Sequence, residues 1–277
     1  MKKLLFTSLC AAILFMSACN TKPKADLVEI NTNYGNIIVK LYDSTPKHKQ
    51  NFLNLVKSHY YDSVLFHRVV KDFVIQAGDP LSKHAKPGQV LGDGDTTYTI
   101  PFEYVPSYFH KRGVLAAARE NDDVNPTKAS SALQFYIAQG KKFTDEELKK
   151  VEIKVELRTK QYILLNLLKK NNDKPEIESL QQAIEKRDTA SIGKLIRKYN
   201  DAVEAEYLRT KPFIITKEQR DIYKTVGGIP HLDGNYTVFG EVVKGMEVVD
   251  KIATLETDSM SRPFKDVRIL SMKLLKK

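Results

Sequence analysis

Residues 66–79 read Phe66-His67-Arg68-Val69-Val70-Lys71-Asp72-Phe73-Val74-Ile75-Gln76-Ala77-Gly78-Asp79. Three of these side chains could act together. Arg68 offers a charged, planar fork of donors, Gln76 a neutral amide and Phe73 an aromatic wall. Such a set suits chemistry that twists a bond and breaks none. His67 adjoins Arg68, but strand alternation turns it to the opposite face, so it reads as structural and not as a base.

Many short elements must position that set. Asp26 to Tyr42 alternates around Asn33-Tyr34-Gly35-Asn36 and predicts a β-hairpin. Thr45-Pro46 opens a helix with Phe52, Leu53 and Val56 on one face. Strands are expected at Val64–Val69, Phe73–Ala77, Gly113–Ala118, Leu133–Ala138, Thr237–Val242 and Val267–Leu274, with a second helix at Met246–Leu255. This is a mainly β pattern, an antiparallel eight-stranded closed barrel capped by two helices.

Between residues 141 and 225 the pattern changes to an all-α insertion of about 85 residues. Thr144-Asp145-Glu146-Glu147 is a capping box, and Leu148, Val151, Val155, Tyr162 and Leu165 continue a long helix. Asn171-Asn172-Asp173 breaks it, and Pro175 starts a shorter helix through Leu180 and Ile184. Asp188 caps a third, running past Tyr199 to Val203, and Thr216 to Gln219 is a second capping box. The insertion carries 20 Lys and Arg against 15 Asp and Glu. It reads either as a tolerated excursion packed on the barrel or as a clamp for unfolded chains. Gly227-Gly228 reads as a tight turn with close chain approach.

The chain opens Met1-Lys2-Lys3, runs apolar from Leu4 to Met16, and reaches Ser17-Ala18-Cys19. That run is too short to span a bilayer and reads as an export signal over 1–18. The small residues before Cys19 resemble a lipoprotein cleavage site, which implies lipidation of Cys19 and a polar tether over 19–25. Ordinary cleavage near Ala18 is the alternative. The expected location is the cell envelope, facing the periplasm, with the outer membrane favoured by Asn20. Both cysteines, Cys10 and Cys19, lie in this leader region, so the domain beyond it has no disulfide, thiol or cysteine–metal chemistry. The net charge of +10 is spread without a basic run interleaved with aromatics, which argues against nucleic acid. Asp93, Asp95, Asp122 and Asp123 lie in loops and do not make a metal set, and Asp93-Gly94-Asp95 lacks the remaining EF-hand ligands.

Four blocks in order resemble the cyclophilins, the barrel-type peptidyl-prolyl cis-trans isomerases. They are Phe66 to Asp79, His110 to Arg119, Ser130 to Ile137 and Pro230 to Gly240. The resemblance covers about 26–139 and 226–277 and is interrupted only by the insertion. It implies a domain over 26–277 that accelerates rotation of X-Pro bonds in exported proteins, with no cofactor and no metal. It implies that Arg68 polarises the proline amide and that Gln76 holds substrate backbone or water. Phe73, Val74, Tyr136 and Leu232 would line the proline slot, with Phe135 and His231 among the substrate contacts and Tyr236 at the rim. Ala118 and Arg119 would meet the residue before proline through their backbones.

Val74, Arg119, Leu133, Tyr136, His231 and Tyr236 depart from the residues common in the family, which bears on affinity and sequence preference. The Tyr136 hydroxyl would enter the pocket edge. The partners implied are proline-containing unfolded or exported polypeptides, and a monomer is expected. Plainer readings stand beside these: Arg68 as a surface strand residue, Phe73 and Tyr136 as core aromatics, Gln76 as a strand amide, and His231 as a solvated loop residue. The alternative function is a weakly catalytic or non-catalytic chaperone or binding module that uses the groove and the insertion.

Overall fold

The computed structural model describes residues 26–93, 98–122 and 124–275. The export signal, Cys19, the tether, Asp95 and Asp123 lie outside the described residues.

β1 (Leu27–Thr32) and β2 (Gly35–Leu41) form the expected hairpin. The register pairs Val28 with Val39 and Ile30 with Ile37, so the alternating apolar residues all enter one core. The Thr32 hydroxyl closes the turn, donating to the Gly35 carbonyl at 2.7 Å and accepting from the Tyr34 N–H at 3.0 Å.

The remaining strands of the main sheet are β3 (Arg68–Val70), β4 (Val74–Ala77), β6 (Val114–Ala117), β8 (Phe135–Ala138), β9 (Val238–Lys244) and β10 (Ile269–Leu274). Their order is β10-β1-β2-β9-β6-β8-β4-β3, antiparallel throughout, while β5 (Thr99–Ile100) and β7 (Ser130–Ser131) pair separately. α1 (Pro46–Lys57) and α7 (Met246–Ala253) are the two expected caps, and they pack Phe52, Val56, Val249 and Ile252 into the core.

The sheet curls but does not close, so the closed barrel is corrected to an open one. Its edges, β10 and β3, share no ladder. β3 has only three residues, and the Val69 N–H is committed to the Ser261 carbonyl at 2.8 Å. The seam is made by irregular chain before β3: Leu65 bridges Arg268, and the Phe66 N–H donates to the Val267 carbonyl at 2.8 Å. The strand expected from Val64 therefore begins at Arg68.

Five helices separate β8 from β9: α2 (Asp145–Lys170), α3 (Lys174–Glu185), α4 (Thr189–Lys198), α5 (Asn200–Tyr207) and α6 (Lys217–Thr225). Thr144 and Thr216 make full capping boxes, and Asp173 and Asp188 cap α3 and α4. The single helix expected past Tyr199 is two. The break falls at Tyr199 (φ −110°, ψ 24°), whose hydroxyl donates to Asp173 Oδ2 at 3.0 Å. Leu164, Leu168, Leu180, Ile192, Ile196 and Val203 give these helices a core of their own.

A separate cluster of Leu148, Ile215 and Tyr223, packed with Phe109, fastens α2 and α6 to the sheet-bearing part. The chain leaves and re-enters at one point, where Lys141 bridges Gly228. A Cβ at Gly228 (φ +155°) would sit 2.2 Å from the His110 carbonyl oxygen, so this crossing requires glycine, as the sequence suggests.

Candidate active site

Strand alternation sorts the site from the core. On β4, β8 and β6 the side chains of Ile75, Ile137 and Leu115 join the main core. Val74, Tyr136 and Ala116 face the other way, into a second cluster with Ile229 and Val238. The register sets Arg68 opposite Gln76, Gln76 opposite Tyr136, and Tyr136 opposite Ala116. Four strands thereby present one row across the outer face of the sheet.

Within that row Arg68 is held from two sides. Its guanidinium donates to Gln76 Oε1 at 3.2 Å and lies 5.5 Å from the Phe73 ring centroid. Among the described residues it has no ion pair, so its charge is not neutralised. The Gln76 amide donates to Gln134 Oε1 at 3.0 Å, and Gln134 donates to the Gly92 carbonyl at 2.7 Å. Gln134 thus orients Gln76, which orients Arg68. Gln134 stood in a sequence block without an assigned role; its adjacency to Gln76 follows from strand pairing across 58 residues and has no local signal.

Phe73 stands at the mouth of β4 and stacks on His231, with centroids 5.7 Å apart and planes at 9°. His231 and Leu232 belong to a 3-10 turn, Pro230–Leu232. Phe73, Leu232 and Tyr236 are partly buried around Val74 and Tyr136, and the Tyr136 and Tyr236 rings meet edge to face at 5.9 Å. The result is a cluster of partly buried apolar side chains beside a guanidinium that has no ion pair among the described residues. A separate surface cavity of about 370 Å³, lined by Lys40, Tyr42, Tyr108, Glu218 and Glu241 among others, holds no residue of the row.

The family model of cyclophilin-type peptidyl-prolyl cis-trans isomerases matches residues 27–157 and 204–274. This chain belongs to that family. Among its relatives, CYP18-2, a peptidyl-prolyl cis-trans isomerase of Arabidopsis thaliana, is 26% identical over 249 residues, which are 90% of this chain and 93% of the relative. Peptidyl-prolyl cis-trans isomerase-like 2 of Rhizopus delemar is 25% identical over 91% of this chain, which spans only 29% of that protein. The chain spans 38% of a 28% identical Streptococcus pyogenes relative whose name joins a phosphatase to a peptidyl-prolyl isomerase. In fold, the chain is similar to the crystal structure of a cyclophilin from Cryptosporidium parvum, with a TM-score of 0.51 at 20% identity, covering 92% of this chain and 99% of the other.

Around this cyclophilin notch the other sequence-assigned residues divide. Val74 is buried beneath the row. Ala118 has both backbone groups engaged: its N–H donates to the Gln134 carbonyl at 3.0 Å and its carbonyl accepts from Ser131 at 2.8 Å. The Arg119 guanidinium lies 4.8 Å from the Tyr236 ring and donates to the Asn235 carbonyl and to Asp122, so the side chain holds the rim in place.

Phe135 is a correction. It faces the main core, against Phe52, Tyr61 and Phe66 at 5.3–6.2 Å between centroids, because alternation sends it away from Tyr136. The Tyr136 hydroxyl is a second correction. It points away from the pocket edge and lies 2.8 Å from His110 Nε2.

That hydroxyl ends a buried chain. Asp233 Oδ1 accepts from the His110 backbone N–H at 2.7 Å and lies 3.1 Å from His110 Nδ1, while Oδ2 accepts from the Tyr223 hydroxyl at 2.6 Å. With Nδ1 donating to the carboxylate, Nε2 is left to accept the Tyr136 proton. Burial pushes the pKa of both tyrosines well up, which keeps both hydroxyls as donors. Asp233 stood in the last sequence block without an assigned role and Tyr223 in the helical stretch, since the two meet only when α6 docks.

Proposed function

We propose that this cyclophilin accelerates cis-trans isomerisation of X-Pro bonds, with Arg68 and Gln76 acting on a proline seated between Phe73, Tyr136, Leu232 and Tyr236. The supporting observation is the row itself: an unneutralised guanidinium, fixed by Gln76 and by the Phe73 face, beside the partly buried Phe73, Leu232 and Tyr236. Rotation must break amide resonance, a barrier of ~18–20 kcal/mol. A donor fork fixed in advance stabilises the twisted, pyramidal nitrogen more than the planar forms and so lowers that barrier. No proton transfer and no cofactor enters this scheme.

The leader sequence supports a further part of the reading: export, lipidation of Cys19 and clients in the cell envelope. On this reading residues 141–225 are one helical insertion; the family match leaves 158–203 uncovered. Among the described residues no helix is long and apolar enough to cross a membrane.

Two-dimensional exchange NMR on a short Ala-Pro peptide tests the proposal. Wild type is expected to produce cis-trans exchange peaks, and Arg68→Ala to lose about 10²–10³-fold in rate, the scale of removing one preorganised donor, with an unchanged folded spectrum. Undiminished exchange in folded Arg68→Ala would refute the role given to Arg68.

A further inference from the structure

One face of α2 lies against the end of the groove. The helix packs on the Pro230–Leu232 turn that carries His231. Burial lowers the pKa of His231, and the positive charges of Arg158 and Lys154 on α2 act in the same direction while Asp233 opposes them. Lys150, Lys154 and Arg158 recur every four residues and therefore share one helix face. Like charges at that spacing oppose helix formation by a few tenths of a kcal/mol, so this stripe is not there for the helix.

Two carboxylates of α2 interleaved with the stripe are paired elsewhere. Glu152 binds Arg220 at 2.6 Å and Glu156 binds Lys160 at 2.7 Å. Asp233 serves His110 and Tyr223. Lys154 and Arg158 are exposed, and among the described residues neither has a carboxylate partner.

Contacts give the groove a direction. Ala118 bonds Gln134, Gln134 bonds Gln76, Gln76 bonds Arg68, Arg68 covers Phe73, and Phe73 stacks on His231. With Ala118 at the residue before proline and Arg68 at the proline amide, the chain leaving the proline runs toward His231 and α2.

We propose that this cyclophilin selects client segments with acidic residues just after the proline, read by Lys154 and Arg158 of α2. The inference rests on the isomerase reading for its direction. The charges come from the helical segment and not from the sheet, so selection and rotation are carried by separate parts of the fold.

The test compares Ala-Ala-Pro-Glu-Glu, Ala-Ala-Pro-Ala-Ala and Glu-Glu-Ala-Pro-Ala peptides with the full chain, by exchange NMR and by chemical-shift titration. The expected kcat/KM ratio of the first over the second is about three- to tenfold, the yield of one or two exposed ion pairs, and it appears in KM. Salt at about 0.5 M should compress the ratio toward one. Lys154→Glu/Arg158→Glu should bring it below one, with circular dichroism unchanged. Equal handling of the first two peptides, a preference for glutamate before proline, or a preference surviving the double reversal would each overturn the proposal. If no peptide is turned over, the isomerase reading fails, and the titrations still decide the acidic preference through Kd.

Discussion

The sheet-bearing part and the helical segment are stabilised in different ways. In the sheet, the residues that matter to one another are far apart in sequence: Gln76 meets Gln134 across 58 residues and His110 meets Asp233 across 123. In the helices, stability begins with caps a few residues away, such as Thr144 with Glu147 and Asp188 with Ser191. The helices also enclose their own apolar cluster, separate from that of the sheet. The site is thus built from long-range pairing, and its flank from local signals. The two are joined at Gly140, Gly228 and Tyr223.

The largest expected effect breaks one side of this comparison and spares the other. Ile137→Ala opens a cavity beneath Tyr136 and should lower the stability of the sheet-bearing part by about 2–5 kcal/mol, seen as a shifted denaturant midpoint for that part. Leu168→Ala should draw on the same range but act on the helices. Hydrogen exchange should rise over α3 to α5 and leave β4 and β8 protected. Uniform loss of protection in both variants would show that the two cores are one cooperative unit.

The pH response belongs to the sheet side. Burial lowers the His67 pKa from 6.5 to about 4. Above 6.5 neither state binds a proton there, and stability is fully present. As pH falls from 6.5 toward 4 the unfolded chain takes up a proton that the folded chain refuses, and about 3 kcal/mol is lost. His48 and His231 are also lowered, first by burial, and add to the slope in the same direction. Chemical denaturation at stepped pH should show this fall, and His67→Phe should flatten it. An unchanged slope in His67→Phe would remove His67 as its source.

The smallest effect concerns the junction. Tyr223→Phe removes one donor from buried Asp233 and should lower stability by about 1–3 kcal/mol, the toll of an unsatisfied acceptor. Because Asp233 orients His110 and His110 holds the Tyr136 hydroxyl, KM for proline peptides should rise by more than kcat falls. Tyr136→Phe, which severs the last link alone, should reproduce that kinetic shift. Altered stability with unchanged KM would confine Tyr223 to packing.

Legibility in the sequence followed the same division. Arg68, Gln76 and Phe73 were readable because the Phe66 to Asp79 block resembles the cyclophilin motif; strand register pairs Arg68 with Gln76, whereas Phe73 precedes β4. His67 and Arg68 were told apart by alternation alone, and the same rule, applied to Phe135 and Tyr136, would have sent Phe135 to the core. Caps announced α2, α4 and α6, and Pro175 announced α3. The α4–α5 break was not announced, since Tyr199 is tied to Asp173 across 26 residues. Sheet closure was over-read because strand-like composition at Val64 to His67 does not reveal that Val69 is already engaged by Ser261. The direction of the Tyr136 hydroxyl depended on His110, and docking of α2 beside His231 depended on a crossing point of two glycines. Neither has a local signature.

The most direct measurement is a crystal structure of the chain with a bound Ala-Pro peptide. The account predicts the pyrrolidine ring between Phe73, Tyr136 and Leu232, with the Arg68 guanidinium within hydrogen-bonding reach of the prolyl amide group. A peptide seated elsewhere, or an Arg68 side chain swung out to solvent while the notch is filled, would contradict it.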